Sequence, residues 1–406
     1  MGLPVTHGHS DAALRVTAIT VSAQLGGTER VLLDFAARAF EFDILLRVIA
    51  PRHGPLIRIL GELGIPAEVV GGPATMVHES RRGRRLAAAS LALPGLRAWA
   101  RRIQRHPVMR DADVVYSVAF NAHLATLGGA GPVVWHLHEF PPPLTAPLWH
   151  ALARRPAALI ANSHAVERAW GRYAAEGRIT TVPNGVDLDR FQPRARTGWI
   201  HERLGIPRDA RLIGMPAVLA PWKGQLAVLD AFAGIAAQFP TAHLVFVGGN
   251  VYDTAAERAF ERDLLTAITA RRSGGPAHIH RLPFQPKVER VYPELDVVVH
   301  YSTRPEPFGR VVLEAMACAI PVLAAAEGGP CEILTEGGWL VEPRSPRALA
   351  GALAAALRLP PEALAQIGQS GRRRAEDRYS ARRFAREVAD VLWRVTRETR
   401  NGKRET

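Results

Sequence analysis

The sequence predicts an α/β protein with two doubly wound parallel sheets, one in each half of the chain. Short runs rich in aliphatic and β-branched residues alternate with helical patterns along the whole sequence, as is typical of parallel strands joined by crossover helices. The chain has 406 residues, which is long enough for two domains. We therefore expect each half to form its own sheet with helices on both faces.

The predicted strands fall into two groups. In the first half they are 15–22, 44–49, 113–117, 133–137 and 158–161, and in the second half 212–215, 244–247, 278–282, 297–300 and 322–324. Pro, Gly and Arg interrupt the pattern near 191–199, which predicts a joint there. We expect a first domain over 1–195 and a second over 196–379. Apolar residues at helical spacing in 375–395 predict a long C-terminal helix.

The composition is that of an ordered globular protein, with 48% hydrophobic and 22% charged residues. The formal net charge of +13 favours anionic ligands or surfaces. Cys318 and Cys331 have no metal-ligand spacing, so we expect buried, reduced thiols and a cytoplasmic location. No apolar run approaches the length of a membrane span.

The segment 306–324 carries the clearest chemical signal. Pro305, Pro307 and Gly309 exclude a regular helix before Arg310, and the apolar run that follows predicts a buried helix containing one carboxylate, Glu314. Glu306 lies just before this helix, whose free N–H groups attract an anion. A buried carboxylate needs a partner, because an unpaired buried charge is costly. Two carboxylates at a phosphate-attracting helix start suit a ligand with both hydroxyls and phosphates, and a nucleotide sugar is such a ligand.

Lys223 is the most distinctive cation of the chain. Lysine occurs only at 223, 287 and 403, and the other basic residues are Arg. A compact ammonium in the loop after the strand 212–215 suits a point contact with a phosphate. From position alone, a solvated surface lysine is an equal alternative.

Two further features follow strands in the first half. Gly26–Gly27 opens a helix for which Thr28 is the predicted N-cap, and this loop can approach a phosphate or be a plain turn. His136 and His138 alternate on one strand and therefore point to the same side, with Glu139 next to them at the strand's carboxyl end. Ligands bind at such ends in open α/β sheets, although His136 is expected to be structural.

Several segments together resemble glycosyltransferase family 4. The signature comprises Asp296, Tyr301, Ser302 and the run EPFGRVVLE at 306–314, followed by Ala315, Pro321 and Val322. Further similarities are GGTERVLLDFA at 26–36, WHLHEF at 135–140, ANS at 161–163, VPNGVD at 182–187 and PWKGQ at 221–225. The set spans most of the chain and is more specific than any one motif.

The resemblance implies the GT-B fold, with a closing helix at 380–397 that crosses back to the first domain. It also implies a retaining transfer of a sugar from a nucleoside diphosphate, UDP before GDP, to a hydroxyl of a natural product, saccharide or lipid-linked acceptor. No cofactor and no metal are expected. The implied catalytic residues are His138, Lys223 and Glu306. The implied donor-binding residues are Gly26, Gly27, Lys223, Phe284, Glu306, Phe308, Gly309, Arg310, Val311 and Glu314.

Within that resemblance, Glu314 is expected to hold the ribose hydroxyls, Glu306 those of the sugar, and Lys223 the diphosphate. The family usually has an Arg five residues before this Lys, and here the position is Val218. Either Arg310 or Arg304 supplies the second charge, or the diphosphate is held less tightly.

Two alternatives stay open. One is a nucleotide-sugar epimerase or phosphorylase on the same fold, and the other is a sugar-nucleotide binder with weakened catalysis, which the departure at Val218 makes conceivable. The segment 81–106 contains eight arginines, Trp99 and no acid. It is interpreted either as a solvated helix or as a basic surface for peripheral membrane contact. No nucleic-acid partner is expected, because no recognition motif accompanies the charge.

Overall fold

The computed structural model describes residues 13–73, 85–129, 131–142, 145–273 and 278–402. Within this part the chain separates into two compact units. The first takes the described residues up to Ala161, then Ala169–Val182 and the residues from Phe384 onward. The second takes Asn162–Arg168 and Pro183–Arg383.

The first unit is built on a parallel sheet whose strands run in the order β3-β2-β1-β4-β5-β6-β7. The strands are β1 (Leu14–Ile19), β2 (Ile44–Ala50), β3 (Ala67–Val69), β4 (Val114–Ser117), β5 (Val133–Leu137), β6 (Ala158–Ala161) and β7 (Ile179–Thr181). The helices are α1 (Gly27–Ala36), α2 (Pro55–Glu62), α3 (Arg85–Arg105), α4 (Pro107–Arg110), α5 (Phe120–Ala125), α6 (Ala146–Ala153) and α7 (His164–Gly171), the last beginning in the second unit. The order reverses beside β1, so the carboxyl ends of β1 and β4 form the switch point at which ligands bind in such sheets.

The second unit repeats the same topology, with the order β10-β9-β8-β11-β12-β13. Its strands are β8 (Arg211–Pro216), β9 (Ala242–Val247), β10 (His278–Leu282), β11 (Val297–His300), β12 (Val322–Ala325) and β13 (Gly338–Val341). Its helices are α8 (Trp199–Leu204), α9 (Gln225–Ile235), α10 (Ala255–Ser273), α11 (Arg310–Ala317), α12 (Pro330–Ile333), α13 (Pro346–Arg358) and α14 (Pro361–Arg378). The switch point lies between β8 and β11.

The last helix, α15 (Ala381–Gly402), belongs to the core of the first unit from Phe384 onward. Phe384, Val388 and Leu392 are completely buried in one cluster with strand residues such as Leu14 and Val48. The predicted crossing of the C-terminal helix back to the first unit is therefore confirmed. The apolar stripe explains it, because a helix with one apolar face must bury that face against a sheet.

All ten predicted strands are present, and three short ones (β3, β7 and β13) are additional. β3 (AEV) and β7 (ITT) lack continuous apolar character, whereas β13 (GWLV) is a short apolar run that was not predicted as a strand. The joint expected near 191–199 lies inside the second unit, because Phe191 and Ile200 are buried in a cluster with Tyr292 of that unit. Both cysteines are free, but Cys331 is only partly buried, which corrects the expectation of two buried thiols.

The arginine-rich segment forms α3 from Arg85 onward, while 81–84 lie outside the described residues. Trp99 is not part of a basic surface: it is completely buried, and its indole N–H donates to the Val70 carbonyl at 2.8 Å. Arg97, Arg101 and Arg105 are exposed on the same helix. Helix α3 is therefore amphipathic: one face packs into the core of the first unit, and these three arginines lie on the exposed face.

Among the described helices, none is by itself long and apolar enough to cross a membrane. One bent pair, Pro346–Arg358 with Pro361–Arg378, passes on length and composition together. Leu349 and Leu353 of the first member and Leu364 of the second are buried in the core of the second unit.

Candidate active site

The loop carrying Lys223 is fixed against the end of β11. A short 3₁₀ turn, Pro221–Lys223, ends at Gly224, whose φ of +82° suits glycine. A Cβ at Gly224 would lie 2.0 Å from the carbonyl oxygen of Tyr301, so the close approach requires glycine. The Thr303 N–H donates to the Trp222 carbonyl at 2.8 Å. The Lys-Gly pair of the sequence therefore places the ammonium beside β11.

The Glu306 backbone is held by a second close approach. The Glu306 carbonyl accepts from the Gly329 N–H at 2.8 Å, and Glu306 forms a parallel bridge with Gly328. Gly328 has φ +81°, and a Cβ there would lie 2.1 Å from the Glu306 carbonyl oxygen. The Ser163 hydroxyl donates to the Pro307 carbonyl at 2.6 Å. The Gly-Gly-Pro turn and the ANS segment therefore fix the residue that the sequence assigns to the sugar.

The Glu306 side chain collects donors on one oxygen. Its Oε2 accepts from Lys223 Nζ at 2.7 Å and from the Ser302 hydroxyl at 3.0 Å, and His300 Nε2 lies 3.4 Å away. Burial alone would raise the pKa of the Glu306 carboxyl. The Lys223 charge and the His300 contact outweigh burial and hold that pKa well below its usual range. The carboxylate is therefore ionised and preorganised.

Helix α11 begins directly after this residue, at Arg310, with Gly309 as its N-cap. No side chain caps the helix start, and the positive end of the helix dipole there attracts an anion. Phe308 is buried beneath the start of the helix, whereas Val311 is partly buried. The predicted donor-binding run 306–311 therefore surrounds one helix N-terminus.

Glu314 is buried and already has two protein partners. The Tyr292 hydroxyl donates to its Oε2 at 2.7 Å, and the Arg310 guanidinium donates to its Oε1 at 3.3 Å. Burial, followed by the neighbouring Glu314 charge, raises the pKa of Tyr292 well above its usual value, so this hydroxyl stays a donor. The hydrogen bond from Tyr292 compensates the burial of the Glu314 carboxylate in an apolar helix. Sequence reasoning missed Tyr292 because it lies outside the helix and is distant from Glu314 in the chain.

Val218 stands at the position where the family usually has an arginine, and its backbone is held by a side-chain hydrogen bond. The Val218 carbonyl accepts from the side-chain amide of Gln225 at 2.8 Å. Of the two candidate replacements, Arg310 contacts Glu314 and Arg304 is exposed. Phe284, proposed for the donor, is 41% exposed at the carboxyl end of β10.

The first unit holds the remaining candidates at the carboxyl ends of its own strands. Helix α1 begins at Gly27 with Gly26 as the N-cap, which corrects the expected cap at Thr28. Gly26 has the extended backbone of an N-cap residue, and no side-chain hydrogen bond caps this helix. Glu29 in the first turn is buried against the Thr20 hydroxyl at 3.4 Å, and burial raises its pKa to about 7.

His136 and His138 point to the same side, as predicted, with ring centroids 4.0 Å apart. His136 is completely buried, and its Nδ1 lies 2.5 Å from the Tyr116 hydroxyl. Burial lowers the pKa of His136 strongly, so it is neutral and structural. His138 is partly exposed after the end of β5. Burial raises the pKa of the neighbouring Glu139 carboxyl to about 7.

Sequence reasoning also missed His300, which ends β11 beside Glu306. A histidine at the carboxyl end of a strand near the switch point was the available signal. Among the described side chains, no group of three or more His, Cys, Asp or Glu could hold a metal ion.

The fold and this arrangement define the chain as a GT-B protein with two Rossmann-like units. Residues 25–190 match the family model described as Glycosyltransferase Family 4, and residues 199–374 match the one described as Glycosyl transferases group 1. The chain belongs to glycosyltransferase family 4.

Curated relatives include a D-inositol 3-phosphate glycosyltransferase of Geodermatophilus obscurus. It is 36% identical over 195 residues, which are 46% of this chain and 42% of the relative. D-inositol 3-phosphate glycosyltransferase 1 of Catenulispora acidiphila is 29% identical over 347 residues, which are 77% of each protein. The match spans only 42% of the first of these relatives and 53% of a further one, D-inositol 3-phosphate glycosyltransferase 2 of Catenulispora acidiphila, so likeness alone does not transfer their activity.

Among solved structures, the HepE protein of Anabaena in complex with UDP and glucose has a TM-score of 0.76 at 24% identity. The match covers 93% of this chain and 99% of HepE. This likeness supports the fold.

Proposed function

We propose that this protein is a retaining glycosyltransferase that moves a sugar from a nucleoside diphosphate to an acceptor hydroxyl without a metal ion. The observation that carries the proposal is the convergence of Lys223 and Glu306 beside the uncapped start of α11, at the switch point of the second unit. A diphosphate needs positive groups and a sugar needs fixed hydrogen-bond acceptors, and this corner of the sheet offers both.

In this proposal Lys223 and the first N–H groups of α11 neutralise the departing diphosphate. Glu306 accepts hydrogen bonds from the sugar hydroxyls, and Glu314 from the ribose hydroxyls. In the structure Lys223 is paired with Glu306 and Arg310 with Glu314. Each carboxylate is therefore held in place by a cation before the donor binds. No dedicated nucleophile is assigned, so the acceptor attacks on the face that the diphosphate leaves.

We assign Phe284 to the donor base, since it is an exposed aromatic after β10. Uracil is the favoured base, so the favoured donor is a UDP-sugar. The complexes of HepE with UDP and with UDP-glucose support that choice. Gly26, Gly27 and His138 of the first unit are assigned to the donor phosphates and the acceptor.

For the acceptor, the names of the relatives make an inositol phosphate the first compound to test, before saccharides and lipid-linked alcohols. The proposed location is cytoplasmic. Liposome sedimentation tests the alternative of peripheral membrane contact through residues 81–106.

Calorimetric titration with UDP, GDP, ADP and TDP, and then with their sugars, tests the donor. Proton NMR of the product gives the anomeric configuration, and turnover in excess chelator tests the metal. Lys223→Ala should abolish turnover, whereas Arg271→Ala, which removes an exposed cation of the same unit, should not. Inverted product, or activity that requires added metal, would contradict the mechanism.

The second candidate is a sugar-nucleotide binder with weakened catalysis, which Val218 favours. Donor binding without turnover on any acceptor would support it. Epimerisation or phosphorolysis of the donor without an acceptor would instead support another enzyme on the same fold.

A further inference from the structure

We propose that His300 is a positioning residue for the donor sugar, holding the Glu306 carboxylate in place when Lys223 turns to the diphosphate. This inference rests on the proposed function, because it assumes that Glu306 and Lys223 bind different parts of one donor. His300 itself is not assigned a contact with the donor.

His300 is rigidly placed. It is the last residue of β11, a strand paired on both sides by β8 and β12, and it is in register with Ala324. Only 4% of the residue is exposed. The Nε2 atom therefore stays 3.4 Å from Glu306 Oε2 without the entropic cost of ordering an exposed side chain.

The need for a second partner follows from the sharing of Oε2. Lys223 Nζ lies 2.7 Å from this oxygen and is its strongest partner. When a diphosphate attracts the ammonium, the carboxylate loses part of that compensation while its side chain remains 12% exposed. A buried carboxylate without partners is costly, so His300 and Ser302 become the groups that keep it in place. Glu306 Oε1 then faces the sugar hydroxyls.

A purely structural role explains His300 less well. The strand residues before it, Val297, Val298 and Val299, are all buried and apolar, and an aliphatic residue would continue that pattern. Within the described part of the chain, the buried Nδ1 atom has no hydrogen-bond partner. A buried imidazole with one unsatisfied nitrogen costs stability, and His201 has the same unsatisfied Nδ1. His300 differs from His201 in that its Nε2 contacts a site carboxylate, Glu306, instead of a backbone carbonyl.

The test compares two ligands in calorimetric titrations: UDP, which lacks the sugar, and UDP-glucose. His300→Leu removes the partner of Glu306 and retains an apolar volume. It should weaken UDP-glucose binding about tenfold or more while changing UDP binding less than about twofold, because only the sugar contacts Glu306. His300→Gln, whose amide can still donate to the carboxylate, should restore most of the UDP-glucose affinity.

The matched control is His201→Leu. His201 is equally buried in the same unit, has its Nε2 3.4 Å from the Ala210 carbonyl, and has an unpartnered Nδ1. This variant should change neither affinity. If His300→Leu does not fold, His300→Asn replaces it, since the shorter polar side chain cannot reach Glu306.

Wild-type affinities for UDP and UDP-glucose in both His300 variants would overturn the inference and leave the proposed function intact. Equal loss of UDP and UDP-glucose binding would show a structural role and overturn it as well. A wild-type protein that binds neither ligand nor any other nucleotide sugar would overturn the proposed function itself, and the inference with it.

Discussion

Substituting Lys223 and Glu306 singly and together should reveal a coupling energy that an exposed ion pair with the same N–O distance lacks. The two atoms are 2.7 Å apart, and the side chains are 14% and 12% exposed. Removing one partner of a buried pair costs about 3–5 kcal/mol, because the other charge is left uncompensated. Ser302 and His300 still contact Glu306, so Lys223→Met should lower the free energy of unfolding by an amount near the low end, about 3 kcal/mol.

Glu306→Gln should cost a similar amount, because it leaves the Lys223 ammonium without its carboxylate. The double variant should lose less than the sum of the two single variants, with a coupling energy of about 2 kcal/mol. Urea titrations at pH 7 without nucleotide measure these values for the second unit. The control pair is Arg271–Asp230, also 2.7 Å apart but 50% and 55% exposed, for which about 0–1 kcal/mol is expected.

The pH dependence of the same pair has a definite sign. The pKa of Glu306 is lowered in the folded state, so the folded carboxyl binds fewer protons than the unfolded one. Its contribution is fully present above the unfolded pKa of about 4.3 and is lost as the pH falls toward the lowered folded value. A coupling energy between Lys223 and Glu306 below about 0.5 kcal/mol at pH 7, equal to that of the exposed Arg271–Asp230 pair, would refute the claim that burial strengthens the pair.

Four further outcomes are expected. Glu314→Gln should weaken binding of the free nucleoside diphosphate about tenfold in calorimetry, and unchanged affinity in a folded variant would exclude the ribose role. Val218→Arg should tighten diphosphate binding in the same assay unless another cation already occupies that place. The raised pKa of Glu29, about 7, predicts that the contribution of this carboxyl to the stability of the first unit is fully present below pH 4.5 and is lost, by about 3 kcal/mol, as the pH rises through 7. Glu29→Gln should flatten that profile. Phe384→Ala should cost about 3–5 kcal/mol in urea unfolding, whereas the exposed Arg386→Ala should cost almost nothing.

Local patterns were sufficient for much of the fold. The apolar runs predicted the ten strands because a strand buried on both faces is continuously apolar over a few residues. The apolar stripe in 375–395 likewise predicted a helix with a face to bury, but its predicted start is wrong, since residues 375–378 end α14 and the last helix begins at Ala381. Short strands such as Ala67–Val69 escaped because their hydrogen bonds to a neighbour, rather than their own composition, make them strands.

For the candidate site, too, the sequence determined part of the arrangement and the tertiary structure the rest. The sequence by itself determined that Glu306 and Glu314 flank a helix start and that Lys223 follows a strand, since those facts depend on neighbouring residues. Only the tertiary structure decided that Lys223 and His300 meet at one oxygen of Glu306 and that Tyr292 holds Glu314. These partners come from separate elements, and only the pairing of parallel strands and the packing of helices brings them within hydrogen-bond distance.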